Sequence, residues 1–244
     1  MTSHTHALVI GASMSGLLAA RALSGHFDRV TLLERDQLED GSTARAGVPQ
    51  GRHVHALLGR GYHTLETFFP DIGAALDARG AVDFRWGSDV HYLSSGGWVK
   101  RFDIGIHSKV LSRPLLESEV RRRVLALPGV TARARVDVDG LLFDAAGTRV
   151  IGVHVTPRGG GKPESIAADL VIDASGRRSG LPEWFQSQGF KPVREETVLS
   201  YMGYATRLYR KPTASAYPPL LLIVPRPDAE FKRGGAIFEI EGGV

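Results

Sequence analysis

The first 34 residues constrain the fold more than any other stretch. "HALVIGAS" opens with a short apolar run that ends at Gly11, as a buried parallel strand does. "SGLLAARALSGHF" follows, a window of strong helix formers containing Leu17, Ala20, Arg21 and Leu23; Ser15 suits the N-cap or first turn, and Gly25 the stop. "RVTLLERD" is a second apolar strand, ending at Glu34. Strand, glycine turn, helix and strand make a βαβ unit with a right-handed crossover, and place the chain in the α/β class.

The turn itself, "GASMSG", resembles a dinucleotide fingerprint with Ser13 where the middle glycine belongs. In that fingerprint the first glycine lets the chain leave the strand sharply, the middle one lets backbone approach a pyrophosphate, and the third lets helix and strand pack closely. The helix N-terminus offers free N–H groups and partial positive charge. A serine hydroxyl can also donate to a phosphate, so Ser13 is compatible with the site. By itself the loop is either a nucleotide site or a tight turn of small residues. Glu34 favours the first reading: it ends the second strand 18 residues after Gly16, where a carboxylate can accept hydrogen bonds from both ribose hydroxyls of an adenosine. It would also repel a 2′-phosphate, which argues against NADP in this pocket.

Composition excludes several classes. The 244 residues contain no cysteine, so disulfides, thiolate catalysis and cysteine metal sites drop out. Hydrophobic residues at 43% and charged residues at 23% are ordinary for a globular chain, long enough for one large core or two modest domains. The net charge of +4 comes from scattered arginines without a nucleic-acid motif; "RRR" at 121–123 reads as a solvated helix face and "RR" at 177–178 as a loop. His53 and His55 form an H-x-H pair with His63 nearby, but no acidic partner stands at a metal-ligand spacing, so no metal is expected. No nucleophile elbow and no P-loop occur. The polar start "MTSHTH" is unlike a signal peptide, and the longest apolar stretch, "PPLLLIVP", is too short to span a bilayer; the expectation is a soluble cytoplasmic protein without membrane or nucleic-acid partners.

Residues 36–52 are rich in turn formers and predict a long, functional loop. "HVHALLGRGYHTLETFFPDI" predicts a helix stopped by Pro70, and "DVHYLSSGGWVKRF" a hairpin around "SSGG". "SRPLLESEVRRRVLAL" predicts a helix with Pro114 in its first turn, one face of Leu115, Val120, Val124 and Leu127, and a stop at Pro128-Gly129. From 130 to 172 a β-meander is expected, with turns at Asp139-Gly140 and Ala146-Gly147. It leads to a buried strand, "DLVIDA", that enters a glycine turn. A short helix near "LPEWFQSQG" follows, then strand-like stretches at 197–210, 219–224 and 235–240.

This order resembles the FAD-dependent monooxygenases of the p-hydroxybenzoate hydroxylase type and their oxidoreductase relatives. "GASMSGLLAARALS" with "LLERD", "GVPQGRHVHALL" and "DLVIDASGRRSGLPEW" are similar to the bacterial branch that includes polyether epoxidases. The resemblance implies a Rossmann-like FAD-binding domain (GR2-type) with a β-meander, at 1–85 and 107–195, and a partial antiparallel β substrate domain at 86–106 and 196–244. It implies that Gly11, Ser13, Ser15 and Gly16 hold the FAD pyrophosphate and Glu34 the adenosine ribose, with Arg35 near the adenine. Arg113 would contact the flavin ribityl chain or phosphate, the Val136 backbone would meet the adenine, and Asp173 and Gly176 would close over the pyrophosphate. The loop of Arg45, Gln50 and His53 would be structural or near the flavin ring.

Two departures qualify this. Ser175-Gly176 stands where the hydroxylases have Asp-Gly, a form closer to that of reductases, halogenases and epoxidases of the same fold. No Gly-Asp dipeptide occurs anywhere, although family members have one near the ribityl chain. The sequence-level expectation is therefore the N-terminal portion of a longer enzyme, with a missing C-terminal segment or partner chain. The activity implied is flavin monooxygenation, hydroxylation or epoxidation, of an apolar or aromatic small molecule, with NAD(P)H as reductant. The alternatives are a flavin-dependent reductase of the geranylgeranyl-reductase type and a non-catalytic FAD-binding fragment. No catalytic side chain is assigned, because the cofactor carries the chemistry. Trp98, Tyr201 and Tyr204 either line a substrate region or pack in a core.

Overall fold

The computed structural model describes residues 5–39, 41, 43–53, 55–94, 96–212, 221–224 and 233–244. In chain order the elements are β1 (His6–Ile10), α1 (Met14–Leu23), β2 (Arg29–Glu34), a 3₁₀ turn (Pro49–Arg52), β3 (Ala56–Leu57), α2 (Gly59–Phe68), α3 (Ile72–Ala78), β4 (Val82–Arg85), β5 (Val90–Ser94), β6 (Gly97–Trp98) and β7 (His107–Val110). Then come α4 (Arg113–Leu125), β8 (Val130–Ala134), β9 (Val136–Phe143), β10 (Val150–Pro157), β11 (Glu164–Ala167), β12 (Leu170–Asp173), α5 (Leu181–Ser187), β13 (Leu221–Val224) and β14 (Gly235–Ile237). The chain divides into two compact units, residues 1–49 with 117–203 and residues 50–116 with 204–244.

The first unit is a parallel sheet in the order β12-β1-β2-β8, with an antiparallel sheet β11-β10-β9 against it. Alternation along β1 explains the layering. Leu8 and Ile10 face the antiparallel sheet and form, with Leu33, Val136, Leu141, Val153 and Val155, one buried cluster. Ala7 and Val9 are fully buried as well, and Leu17 and Ala20 of α1 are buried where that helix packs on β1 and β2. The strand order reverses between β12 and β2 around β1. Parallel sheets hold their ligands at such a reversal, outside the carboxyl ends of the strands.

His6 lies beneath the antiparallel sheet. Its Nδ1 is 2.9 Å from the Ala167 carbonyl and 2.9 Å from Arg29 Nη2, and its Nε2 is 3.0 Å from Thr31 Oγ1. Burial holds the imidazole pKa below its ordinary 6.5, the Ala167 carbonyl pulling the other way. The unfolded chain therefore takes up this proton at higher pH than the native one, so His6 removes stability as pH falls through 6.5 towards its lowered folded value. Urea unfolding midpoints measured from pH 7.5 down to 5.5 should fall more steeply for the wild type than for His6→Gln; equal slopes would refute this.

The second unit has two sheets, β3-β7-β4 and β14-β13-β5-β6. Its core joins Phe84 and Val110 to Trp86, Val90, Ile223, Phe238 and Ile240, with the Phe84 and Trp86 rings edge to face at 4.9 Å. Lys109 is buried there between Asp77 and Asp83, at 2.5 and 2.7 Å.

Several sequence expectations are corrected. Of the two places expected for Ser15 it takes the first turn of α1, the N-cap position being Ser13 without a side-chain capping bond; the helix ends at Leu23, and the Ser24 N–H donates to the Ala20 carbonyl just before Gly25. Asp139-Gly140 is no turn but the middle of β9, and β8 joins the parallel sheet beside β2 instead of the meander. The break between them is Arg135 in a left-handed conformation (φ 57°). The strand "DLVIDA" lies at a sheet edge and is only partly buried. Helix α3 was not expected. "RRR" is not a solvated face: Arg121 is buried, Arg123 is half-buried, and only Arg122 is exposed. Residues 197–210 form no strand, and their Val198 and Tyr201 are more than 90% exposed. Of the stretch 219–224, residues 219–220 lie outside the described residues, as does Ser95 in the hairpin turn. Trp98, Tyr201 and Tyr204 are all exposed and belong to no core.

Candidate nucleotide site

A cleft of about 260 Å³ opens at the carboxyl ends of β1, β2 and β12 in the first unit. That volume is at or just below the small end of ligand pockets, suited to one half of a dinucleotide rather than the whole. Gly11 and Ser13 form its floor, Glu34 and Arg35 one side, Val136 to Val138 another, and Ala174, Ser175, Arg178 and Trp184 the far wall.

The glycines are required by contact. Gly11 has φ +95°, and a Cβ on it would sit 2.6 Å from the Ala174 carbonyl oxygen. A Cβ on Gly16 would sit 1.8 Å from the Gly11 carbonyl oxygen. Neither position has room for a side chain, because the first turn of α1 rests on the loop that starts it and β12 closes from beside it. Backbone bonds hold the same approach: the Gly11 N–H donates to the Leu33 carbonyl (2.7 Å) and the Ala174 N–H to the Ile10 carbonyl (2.8 Å).

Glu34 is buried at the end of β2. Its Oε2 accepts the Ala12 N–H at 2.8 Å, and its Oε1 accepts the Asp36 N–H at 2.9 Å. Ser13 departs from its expected role: its hydroxyl donates to Glu117 Oε2 at 2.7 Å, so in this structure that proton goes to a buried carboxylate of α4. The side chain that replaces the fingerprint's middle glycine is thereby tied down instead of standing loose in the cleft.

Gly11, Ser13, Glu34, Arg35 and Val136 thus converge on one cleft. The Val136 side chain is part of the buried cluster, which leaves its backbone edge to the cleft. Gly16 stands behind the loop, and Ser15 is exposed in the first turn of α1. Asp173 shapes the turn after β12: its Oδ1 accepts the Ser175 N–H at 2.8 Å and its other oxygen the Ser179 hydroxyl, while Gly176 supplies a positive φ of 88°. Neither lines the cleft. Arg113 belongs to the second unit, beside His55, whose pKa is lowered by burial and then by the Arg113 charge. His53 and His55 precede β3 instead of lying on a strand, and His53 Nδ1 is 3.1 Å from Thr206 Oγ1. Among the described residues no three His, Asp or Glu side chains converge as a metal site.

The sequence reading missed Gly47, Val48, Asp137, Val138, Ser175, Arg178 and Trp184 as cleft residues. Gly47 carried a signal in hindsight, a glycine in a loop expected to be functional. Val48 follows it in the same loop, Asp137 and Val138 adjoin Val136, and Ser175, Arg178 and Trp184 lie in "DLVIDASGRRSGLPEW", which no fixed spacing ties to the first loop.

No family model matches the chain. It is 39% identical over 215 residues to protein Rv3254 of Mycobacterium tuberculosis, across 85% of this chain and 45% of that protein. It is 30% identical over 184 residues to the kynurenine 3-monooxygenase of Salinispora arenicola, across 73% of this chain and 37% of that enzyme. The chain thus spans less than half the length of the curated relatives it matches. Among solved structures, pqsL, "a probable FAD-dependent monooxygenase from Pseudomonas aeruginosa", matches with a TM-score of 0.57 and 15% identity, over 80% of this chain and 48% of that one. Among the described residues no helix is long and apolar enough to cross a membrane. The parallel sheet, the antiparallel layer on it and the cleft at its carboxyl ends give this chain the fold of the FAD-dependent monooxygenases.

Proposed function

We propose that the first unit binds the adenosine and pyrophosphate end of FAD, and that the chain serves in flavin-dependent monooxygenation of an apolar or aromatic small molecule. The observation that carries this is the convergence of the Gly11–Gly16 loop, the Glu34 carboxylate and the turn after β12 on one cleft. The loop leaves no room for a Cβ at Gly11 or Gly16, which brings main-chain N–H groups close to an incoming anion. Glu34 supplies the acceptor a ribose diol needs. Arg35 and Arg178 put positive charge at the rim, and Val136, Val138 and Trp184 supply an apolar wall suited to an adenine. Bound FAD would supply redox chemistry at its isoalloxazine ring, with NAD(P)H as the proposed reductant. The chain's own part is to hold and orient the nucleotide end. The relatives named above support this reading.

Titration of the purified chain with FAD tests it. Binding should quench flavin fluorescence, be competed by ADP but not by FMN, and raise the melting temperature. Unchanged fluorescence and melting at saturating FAD would refute the reading.

A further inference from the structure

Ala12, between Gly11 and Ser13, is held from both sides. Its N–H donates to Glu34, and its carbonyl accepts from Arg45 Nη2 at 3.1 Å. Arg45 comes from the long loop, and its side chain is only 8% exposed. Its Nη1 lies 3.3 Å from Glu34 Oε2 and 3.5 Å from Asp36 Oδ2, and its Nε donates to Glu117 Oε1 at 3.1 Å. One guanidinium therefore joins three carboxylates, two from the end of β2 and one from α4, and through Glu117 it reaches the Ser13 hydroxyl. Burial opposes the charge on Arg45, but Glu117 and Glu34 outweigh it and keep its pKa above the ordinary arginine value.

We propose that Arg45 is a positioning residue of this site: it fixes the Ala12–Ser13 backbone and aims the Glu34 carboxylate, without lining the cleft itself. The assignment of a ligand to the cleft rests on the reading above. The clamp on the loop rests on these bonds alone.

Charge explains why an arginine is needed. Glu34, which lines the cleft, and Asp36 and Glu117, which do not, gather around Arg45 beside a loop that would receive an anion. The other charged groups facing them are Arg121, 3.7 Å from Glu117, and Arg35 and Arg158 beside Asp36. Asp137, paired with Arg158 at 2.7 Å, adds a fourth carboxylate at the rim. Without Arg45 the carboxylates lose the cation they share, and their field would act against a pyrophosphate. The Ala12 carbonyl would also lose its donor.

Four proteins test this: Arg45→Met, Arg45→Lys, Glu117→Gln, and Arg45→Met combined with Glu117→Gln. Amide hydrogen exchange over residues 9–17 is followed in the ligand-free proteins, and FAD affinity is measured alongside. Arg45→Met should speed exchange at Ala12 and weaken FAD, each by about tenfold or more, as breaking a buried ion pair predicts. Arg45→Lys should fall between, since an ammonium cannot span all these partners. Glu117→Gln should restore much of the loss in the Arg45→Met background, by either measure. Wild-type exchange in Arg45→Met would overturn the proposal. A double variant no better than Arg45→Met would overturn it too, since packing alone would explain the loss. If exchange responds as expected but the wild type does not bind FAD, the clamp is upheld and the dinucleotide reading falls.

Discussion

Gly16→Ala is expected to cost this chain most of its nucleotide affinity and a large part of its stability. The added Cβ would lie 1.8 Å from the Gly11 carbonyl oxygen and 2.8 Å from its carbon. Both are main-chain atoms of the loop, so no side chain can swing aside. Either the first turn of α1 lifts from β1, or the loop shifts into the cleft. The first outcome exposes Leu17 and Ala20, now fully buried, and the second occludes the floor. A clash that cannot relax puts the substitution among the costly cases, at about 3–5 kcal/mol, or roughly 6–20 °C in melting temperature for a chain of this size. Gly25→Ala is the control: nothing lies within 4 Å of its Cβ and its φ is not positive, so it should melt within about 2 °C of the wild type. Thermal unfolding of both variants decides the matter. A Gly16→Ala protein as stable as Gly25→Ala would mean that helix and loop do not approach as described.

The parts of the fold legible in the sequence are those where local signals agree. The β1-α1-β2 unit was legible because apolar runs of strand length stop at Gly11 and Glu34, and the helix between them has no competing pattern. The hairpin of β5 and β6 and the helix α4 were legible for similar reasons. Errors arose where tertiary partners overrule local signals. Residues 130–139 alternate apolar and polar across the real break, and Asp139-Gly140 looks like a turn pair. The real break is Arg135, which adopts a positive φ that nothing in its side chain announces. Arg121 is drawn inside because the carbonyls of Glu39 and Gly41, remote in sequence, accept from its guanidinium. Residues 197–210 have strand-forming composition, but among the described residues no strand pairs with them.

The candidate site divides in the same way. Gly11, Ser13, Glu34 and Arg35 follow from one short motif and a fixed spacing to the second strand. The opposite wall, with Arg178 and Trp184, depends on β12 returning beside β1, a pairing that joins residues more than 160 apart. Arg45 could not be placed because its partners lie in three separate segments. Ser13 shows the limit most clearly: the hydroxyl that sequence reasoning offered to a phosphate belongs, in the folded chain, to Glu117.

Replacing Glu34 is expected to be the second large effect, and the choice of substitute separates its two jobs. As a ribose acceptor Glu34 would make charge-assisted hydrogen bonds, worth about 1.5–3 kcal/mol. As a structural acceptor it satisfies the Ala12 N–H and neutralises part of Arg45. Glu34→Ala removes both, and FAD affinity should fall about 100-fold, equivalent to roughly 2.7 kcal/mol. Glu34→Gln keeps an oxygen for the Ala12 N–H but loses the charge, and a loss of about tenfold is expected. ADP should follow the same order as FAD, because both carry the adenosine ribose and the diphosphate. FMN lacks that ribose and should bind weakly to wild type and variants alike. Fluorescence titration with FAD, and competition by ADP and FMN, reads all three ligands. If Glu34→Ala bound FAD like the wild type, the ribose assignment would be wrong, and Glu34 would be left with its bond to Ala12. If FAD weakened while ADP did not, Glu34 would be acting on the flavin end, and the orientation of the nucleotide in the cleft would have to be reversed.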